Sequence, residues 1–395
     1  MPQHYSMKKI CIKQQFTVNF DFPVLFTNDT FNLDNAELIS LINNVEDSPK
    51  VLPVFDGGLL AANPALEDEL LRYFSHHNIN VLPRIIVPGG EDCKNDDNVI
   101  DSIYQAVEKH EIDRHSYILV LGGGAVVDCV GFAAATAHRG IRLIRMPSTV
   151  LGQNDAGIGV KNAINYHQRK NYIGTFAPPF AVINDFTLLS SLTPRDKRSG
   201  ISEAIKVALI KDSKFFNELY QSRNDLANFE PQAMQSMIFQ GAQWHLNHIA
   251  TSGDPFELGS ARPLDFGHWS AHKMEELSHN ELRHGEAVAI GIAMDSIYSN
   301  LIGHLKTEEL TKILTLLDAL GFNLAHPVLK KLTINNALNE FKEHLGGRLC
   351  ITLLNGIGTS FEANHINEEL MEQAVSRLLN GPLNTIQPDI LDQSC

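Results

Sequence analysis

The chain has 395 residues, enough for two domains that each bury a core. Its formal net charge of −14 excludes a nucleic-acid partner, whose phosphates require a surplus of lysine and arginine, but leaves room for a local basic cluster around a small anion. Five scattered cysteines without CxxC spacing fit free thiols in a reducing compartment, and no stretch has the roughly eighteen uninterrupted apolar residues of a membrane span; with no signal-peptide core at the N-terminus, a cytoplasmic protein is expected.

In chain order, "KICIKQQFTVNF" alternates with period two and predicts an opening hairpin. "VLPVFDGG" reads as a buried strand closed by a glycine turn, "PALEDELLRYFSHHNI" as an amphipathic helix, and "NVLPRIIVPGG" as a strand and turn. "DNVIDSIYQAVEKHEI" predicts a helix, "SYILVLGGG" a strand, "AVVDCVGFAAATAHRG" a helix and "IRLIRMPST" a further strand. This βαβα rhythm predicts an α/β domain over residues 1–194, with a parallel sheet covered on both faces. Long amphipathic stretches then take over, among them "GISEAIKVALIKDSKFFNELY", "PQAMQSMIFQGAQWHLNHI" and "EELTKILTLLDALG". They predict a mainly helical domain over 195–380, followed by a flexible tail over 381–395.

Three segments of the first half point to a nucleotide. Gly122, Gly123 and Gly124 separate an apolar strand from a small-residue helix, where backbone can approach a pyrophosphate at the helix N-terminus. The pattern is GGGxxxD, ending on Asp128, and not GxGxxG. Asp56 in "VFDGG", and Glu91 and Lys94 in "VPGGEDCK", lie at other strand ends, where open α/β sheets bind ligands. Each alone reads equally well as an ordinary loop charge. Downstream, Arg139, Asp155, Lys161, Lys170 and Asn171 crowd loops and element ends, and in so acidic a chain that set suits a phosphate.

"DFGHWSAHKMEELSHNELRHGEAVAIG" holds His268, His272, His279 and His284 within seventeen positions. The i,i+4 spacing of His268 and His272 would let those two share a metal on one helix. Glu203 and Lys206 in "SGISEAIK", three residues apart, could form no more than a helical ion pair.

Together, "GGGAVVDCVGFAAATAHRG", "MPSTVLGQNDAGIGVKNAIN", "RKNYIG", "SGISEAIK" and "HGEAVAIG" resemble the sugar phosphate cyclases, the family typified by 3-dehydroquinate synthase, in order and spacing from Asp56 to His344. The resemblance implies a dehydroquinate synthase-like fold: an N-terminal Rossmann-like NAD domain, a helical C-terminal domain, a site in the cleft between them, and a homodimer. It implies that Asp56, Glu91, Lys94, the Gly122–Gly124 turn, Asp128, Ser148, Thr149 and Lys170 line the NAD site. Lys161, Asn171 and Arg139 would meet substrate phosphate, with Arg139 reaching across from the partner subunit. Glu203, His268 and His284 would hold Zn²⁺, with Co²⁺ as the alternative. Asp155 and Lys206 would hold substrate hydroxyls, and His272 would stand beside the substrate, leaving His279 as a surface histidine.

The departures from 3-dehydroquinate synthases have a direction. Those enzymes read RxxxNxGHTxxH around the first histidine ligand, whereas this chain reads "ARPLDFGHWSAH". Asp265 replaces the asparagine, and Arg262 is shifted by one position from the arginine expected to grip a carboxylate. Asn247 stands where a lysine is expected, flanked by His245 and His248, and His344 in "FKEHLGG" takes the place of a phosphate-side lysine. Losing those donors disfavours a carboxylate in the site, because a buried anion without partners costs several kcal/mol. Asp265 and the HLGG segment resemble the sedoheptulose 7-phosphate cyclases, which make valiolone-type cyclitols. The alternatives are a 3-dehydroquinate synthase acting on 3-deoxy-arabino-heptulosonate 7-phosphate, a glycerol- or iron-type alcohol dehydrogenase, and a retired homologue serving as a sensor.

Overall fold

A computed structural model describes residues 11–42, 49–167, 169–256, 263–279 and 281–381, without the side chains of Pro263 and His344. A seven-stranded, wholly parallel sheet organises the first half. Its strands are β1 (Val24–Thr27), β2 (Lys50–Asp56), β3 (Asn80–Val81), β4 (Ile85–Val87), β5 (Tyr117–Gly122), β6 (Arg142–Pro147) and β9 (Ala181–Asp185). The order is β1-β9-β6-β5-β2-β3, with β4 also on β2.

Every residue of β5, "YILVLG", is buried, as expected of a central strand covered on both faces. Alternation sorts its side chains. Ile118 and Val120 join α5 (Asp97–Lys109) and α6 (Gly124–Thr136) on one face, while Tyr117, Leu119 and Leu121 join α1 (Glu37–Ile42) and α3 (Leu66–His76) on the other. After β2 the chain moves outward to β3 and β4 and then returns past β2 to β5. The carboxyl ends of β2 and β5 therefore flank the point where strand order reverses, the place where such sheets hold ligands.

The second half is helical: α7 (Pro194–Ser199), α8 (Ile201–Lys211), α9 (Ser213–Gln221), α10 (Arg223–Ala227), α11 (Pro231–Thr251), α12 (His268–Leu277), α13 (His284–Leu301), α14 (Thr307–Ala319), α15 (Ile334–His344) and α16 (Glu368–Leu379), with a small antiparallel pair β10 (Ile351–Leu354) and β11 (Ser360–Ala363). Within α13, residues 287–299 are all buried, so the other helices wrap around it. Among the described residues no helix is long and apolar enough to cross a membrane.

The structure corrects one local expectation and sharpens two others. The expected opening hairpin begins at Lys9 and Ile10, outside the described residues; over 11–23 no hairpin forms, and Ile12, Phe16, Val18 and Phe20 stay exposed with no partner strand among the described residues. Lys161, Lys170 and Asn171, expected in loops or at element ends, lie at the starts of the two strands of an antiparallel hairpin, β7 (Lys161–Tyr166) with β8 (Arg169–Phe176). The long amphipathic run after residue 200 is helical as expected and comprises two helices that meet at Asp212, whose carboxylate accepts from the backbone N–H of Lys214 and Phe215 and starts α9. The expected tail beyond residue 381 lies outside the described residues.

Two glycines in "HGEAVAIG" set how closely α13 packs. A Cβ on Gly285 would collide with the backbone oxygen of Ser199, and one on Gly291 with the backbone oxygen of Gly267. Neither neighbour is a flexible side-chain end. Gly291→Ala should lower unfolding stability by about 1–3 kcal/mol, the usual cost of overpacking, read as a reduced urea midpoint at unchanged slope. An unchanged midpoint would show that α12 and α13 do not need this approach.

Candidate active site

The nucleotide-type residues gather at the reversal point. Asp56 ends β2 and caps α2 (Gly57–Ala62), accepting from Gly58 N–H at 2.8 Å. Gly122 ends β5, where a Cβ would lie 2.8 Å from Val126 Cγ1 and 3.0 Å from Asp56 Cβ, so tight packing alone demands glycine here. Gly123 caps α6, Gly124 opens it, and Ser148 N–H ties the end of β6 to the Gly122 carbonyl. Thr149 Oγ1 accepts from Gly152 N–H. Lys94, in the short helix α4 (Asp92–Asn95), is buried and donates to Asp128 Oδ2 at 2.6 Å and Asn171 Oδ1 at 2.7 Å. Burial favours its neutral amine, but Asp128 and Glu91 outweigh it and hold the ammonium above its usual range. Glu91 itself accepts from Asn165 Nδ2.

Across the cleft, α8 carries Glu203 into the core, with α12 and α13 each contributing their first residue. Glu203 Oε1 lies 3.6 Å from His268 Nε2 and 3.5 Å from His284 Nε2. Its Oε2 contacts Lys206 Nζ, yet neither buried oxygen has an aligned hydrogen-bond donor. Burial would raise the Glu203 pKa, but Lys206 overrides this and holds it at about 2. Burial and Lys206 push His268 down to about 3, so its ring is neutral. His268 Nδ1 sits 3.1 Å from the Phe266 carbonyl and so carries the proton, leaving the Nε2 lone pair facing Glu203.

His284 is arranged alike, with Nδ1 3.4 Å from Glu275 Oε2 and Nε2 toward Glu203. Burial disfavours its cation, but Glu203 and Glu275 raise it to about 10. Two carboxylates thus draw positive charge into the space between the rings. An orphaned carboxylate oxygen, two Nε2 atoms and outer partners on both Nδ1 atoms make a donor set that fits a divalent ion of the zinc type. A second group, His272, Glu275 and His284, also lies close enough to share an ion. His272 is exposed, its ring 5.6 Å from that of His268 and 5.9 Å from that of His284.

Asp155 reaches this centre from the other half, on a single π-helical turn over Gly152–Ala156, a form common at functional sites. Its Oδ1 lies 3.9 Å from Lys206 Nζ and 2.9 Å from His245 Nδ1. Burial opposes ionisation, but Lys206 and His245 hold its carboxyl far below the usual range. Lys206 is buried between Glu203 and Asp155, and Asp265, at the end of a 3₁₀ turn, adds to the field that raises its pKa against burial.

Other expected residues are dispersed. Lys161 opens β7 and is exposed. On β8, Lys170 faces Glu275 at 3.4 Å, on the His284 side, whereas Asn171 faces Lys94 on the nucleotide side. Arg139 is exposed and, among the described residues, makes no hydrogen bond or ion pair. Arg262 and the His344 side chain lie outside the described residues. His279 sits in an exposed turn after α12.

The sequence reading passed over Glu275, His245 as a site residue, and Asp295. Glu275 could have been found, since His268, His272 and Glu275 are spaced i, i+4, i+7 on one helix face. Asp295 is fully buried on α13 and accepts from Trp269 Nε1 at 3.0 Å and Gly267 N–H at 3.2 Å, clamping both neighbours of His268.

Residues 84–199 match the family model for the 3-dehydroquinate synthase N-terminal domain and residues 200–344 that for the C-terminal domain. The chain belongs to the 3-dehydroquinate synthase family. As a member of this family it is a carbon–oxygen lyase of the sugar phosphate cyclase class. It is 32% identical over 297 residues to a 3-dehydroquinate synthase from Ruthia magnifica subsp. Calyptogena magnifica, covering 74% of this chain and 81% of that protein. A solved 2-epi-5-epi-valiolone synthase from Streptomyces hygroscopicus subsp. jinggangensis 5008, with NAD⁺ and Zn²⁺ bound, superposes with a TM-score of 0.84 at 27% identity over 93% of this chain and 99% of that one. A 2-deoxy-scyllo-inosose synthase shares the fold, with a TM-score of 0.74 at 22% identity over 90% and 96% of the two chains.

The clamp on His268 gives this family member a pH signature. Burial pushes Asp295 up to about 7, against the two hydrogen bonds it accepts. Unfolded aspartate loses its proton near pH ~4, so between there and about pH 7 the folded chain holds a proton that the unfolded chain has released. Stability from this group therefore falls as pH rises through that window, by about 1.4 kcal/mol per pH unit at most. Urea unfolding at a series of pH values should show that component in the wild type and not in Asp295→Asn. Identical slopes in the two proteins would contradict the raised pKa.

Proposed function

We propose that the chain is an NAD- and metal-dependent cyclase that converts sedoheptulose 7-phosphate to a valiolone-type cyclitol with loss of phosphate. The observation that carries the substrate choice is that Asp265, standing where 3-dehydroquinate synthases are expected to have a neutral asparagine, adds a third carboxylate to Asp155 and Glu203 around one ammonium, Lys206. A pocket with that balance repels a substrate carboxylate and suits the hydroxyls of a neutral ketose. Likeness to the valiolone synthase supports this reading, and identity to a curated 3-dehydroquinate synthase supports the second one, a carboxylated heptulosonate phosphate as substrate.

Glu203, His268 and His284 are the residues that would hold the metal, and the residues at the reversal point, with Lys170, would hold NAD. When bound, the pair would supply reversible hydride acceptance and polarisation of a substrate hydroxyl. The protein's own contribution is positional. Asp155, held ionised, accepts a substrate hydroxyl proton in a hydrogen bond, and the buried Lys206 ammonium keeps neighbouring oxygens oriented. His272, exposed beside both metal-side rings, is placed to carry protons between substrate and solvent. Lys161 and Asn171 would meet the phosphate, together with His344 and an Arg139 supplied by the partner subunit of a homodimer. Exposed, and unpaired among the described residues, Arg139 suits that use. We place the division between nucleotide and metal domains near residue 194, where the helical half begins with α7.

The test offers purified protein with NAD⁺ and Zn²⁺ either sedoheptulose 7-phosphate or 3-deoxy-arabino-heptulosonate 7-phosphate and follows phosphate release. Release from the first sugar is expected. Release from the carboxylated sugar alone would overturn the substrate choice, and steady NADH accumulation without phosphate release would overturn the cyclase reading in favour of a dehydrogenase.

A further inference from the structure

We infer that His245 is a positioning residue for Asp155, holding that carboxylate in register with the metal-side cluster. The inference rests on the functional reading above for its substrate but not for its geometry. His245 lies near the C-terminal end of α11, which runs against both the π-helical turn and α8. Gly241 on the same helix faces Asn154 and Ala204, where a Cβ would sit at 3.4 and 3.6 Å. Trp244 Nε1 donates to Asp212 Oδ2 at 3.2 Å and pins the helix beside His245.

The two ring nitrogens of His245 face different neighbours. Nδ1 lies 2.9 Å from Asp155 Oδ1, and Nε2 abuts Gly159, where a Cβ would come within 3.3 Å of it. The side chain is 14% exposed, so it is not a solvated helix-surface histidine. Nδ1 is buried and its N–H is not aligned on any acceptor, the loose geometry that such contacts commonly have before they tighten around substrate. Lys206 approaches the same Oδ1 from α8 at 3.9 Å. Both cationic or donor groups approach Asp155 on the Oδ1 side, so the other oxygen is assigned to a substrate hydroxyl. Asn247 is exposed two residues further on, so α11 meets Asp155 through His245.

The substitutions separate the two ring nitrogens, because asparagine places an amide N–H near the Nδ1 position and glutamine near the Nε2 position. His245→Asn should keep most of the turnover in the phosphate-release assay. His245→Ala and His245→Gln should lose about 10- to 100-fold, the range typical when a group that orients a working side chain is removed, mostly in kcat with little change in KM. Zinc content and NAD⁺ affinity should be unchanged in all three. Crystal structures should show the Asp155 carboxylate in place in His245→Asn and rotated away in the other two. Full activity of His245→Ala, activity in His245→Gln but not in His245→Asn, or an unmoved Asp155 in every variant would each overturn the inference. Should the wild type release phosphate from neither sugar, the proposed function fails, while the position of Asp155 in the variant structures still decides the role of His245.

Discussion

A carboxylate buried inside a helical core is the constraint from which the rest of this site follows. Glu203 is 1% exposed and neither of its oxygens has an aligned hydrogen-bond donor. An unpaired charge so placed is far too costly to persist, so neighbouring elements must bring cations or cation ligands to it. Lys206 contacts it from one turn away on α8, and His268 and His284 turn their Nε2 atoms onto the other oxygen. Glu275, the outer partner of His284 Nδ1, draws further positive charge toward the same space.

That convergence depends on backbones that come unusually close. Gly267 and Gly291 let the start of α12 lie directly on α13, and Gly285 does the same for α7. Asp295 then ties Gly267 and Trp269 to α13, which fixes the first residue of α12. From the other half, Arg145 is fully buried and binds the carbonyls of Gly157 and Gly159 and the Asn162 side chain, holding the segment that leads from Asp155 to Lys161. The crevice at the strand-order reversal and the helix-borne candidate metal cluster thereby face one another across Asp155 and Lys206.

Much of this was legible in the sequence where a single physical rule dominates. The unbroken apolar run of β5 and the three glycines after it could be little else than a central strand feeding a helix. The same rules misled where burial was not local. Alternation in residues 12–20 looked like a strand, but alternation says nothing about whether a partner exists to cover it. The hairpin of β7 and β8 was hidden because its strands are largely polar. The π-helical turn that aims Asp155 carries no recognisable pattern, and His245 lies far along the chain from the aspartate it meets. The candidate set Glu203, His268 and His284 came only from family resemblance, because spacing alone favoured His268 with His272 as strongly as with His284.

Those two pairings differ in where an ion would sit, and His284 belongs to both candidate groups. The most direct measurement is anomalous diffraction at the zinc edge from crystals grown with Zn²⁺. The account predicts one peak between Glu203 Oε1, His268 Nε2 and His284 Nε2. A peak between His272, Glu275 and His284 instead, or none, would contradict it.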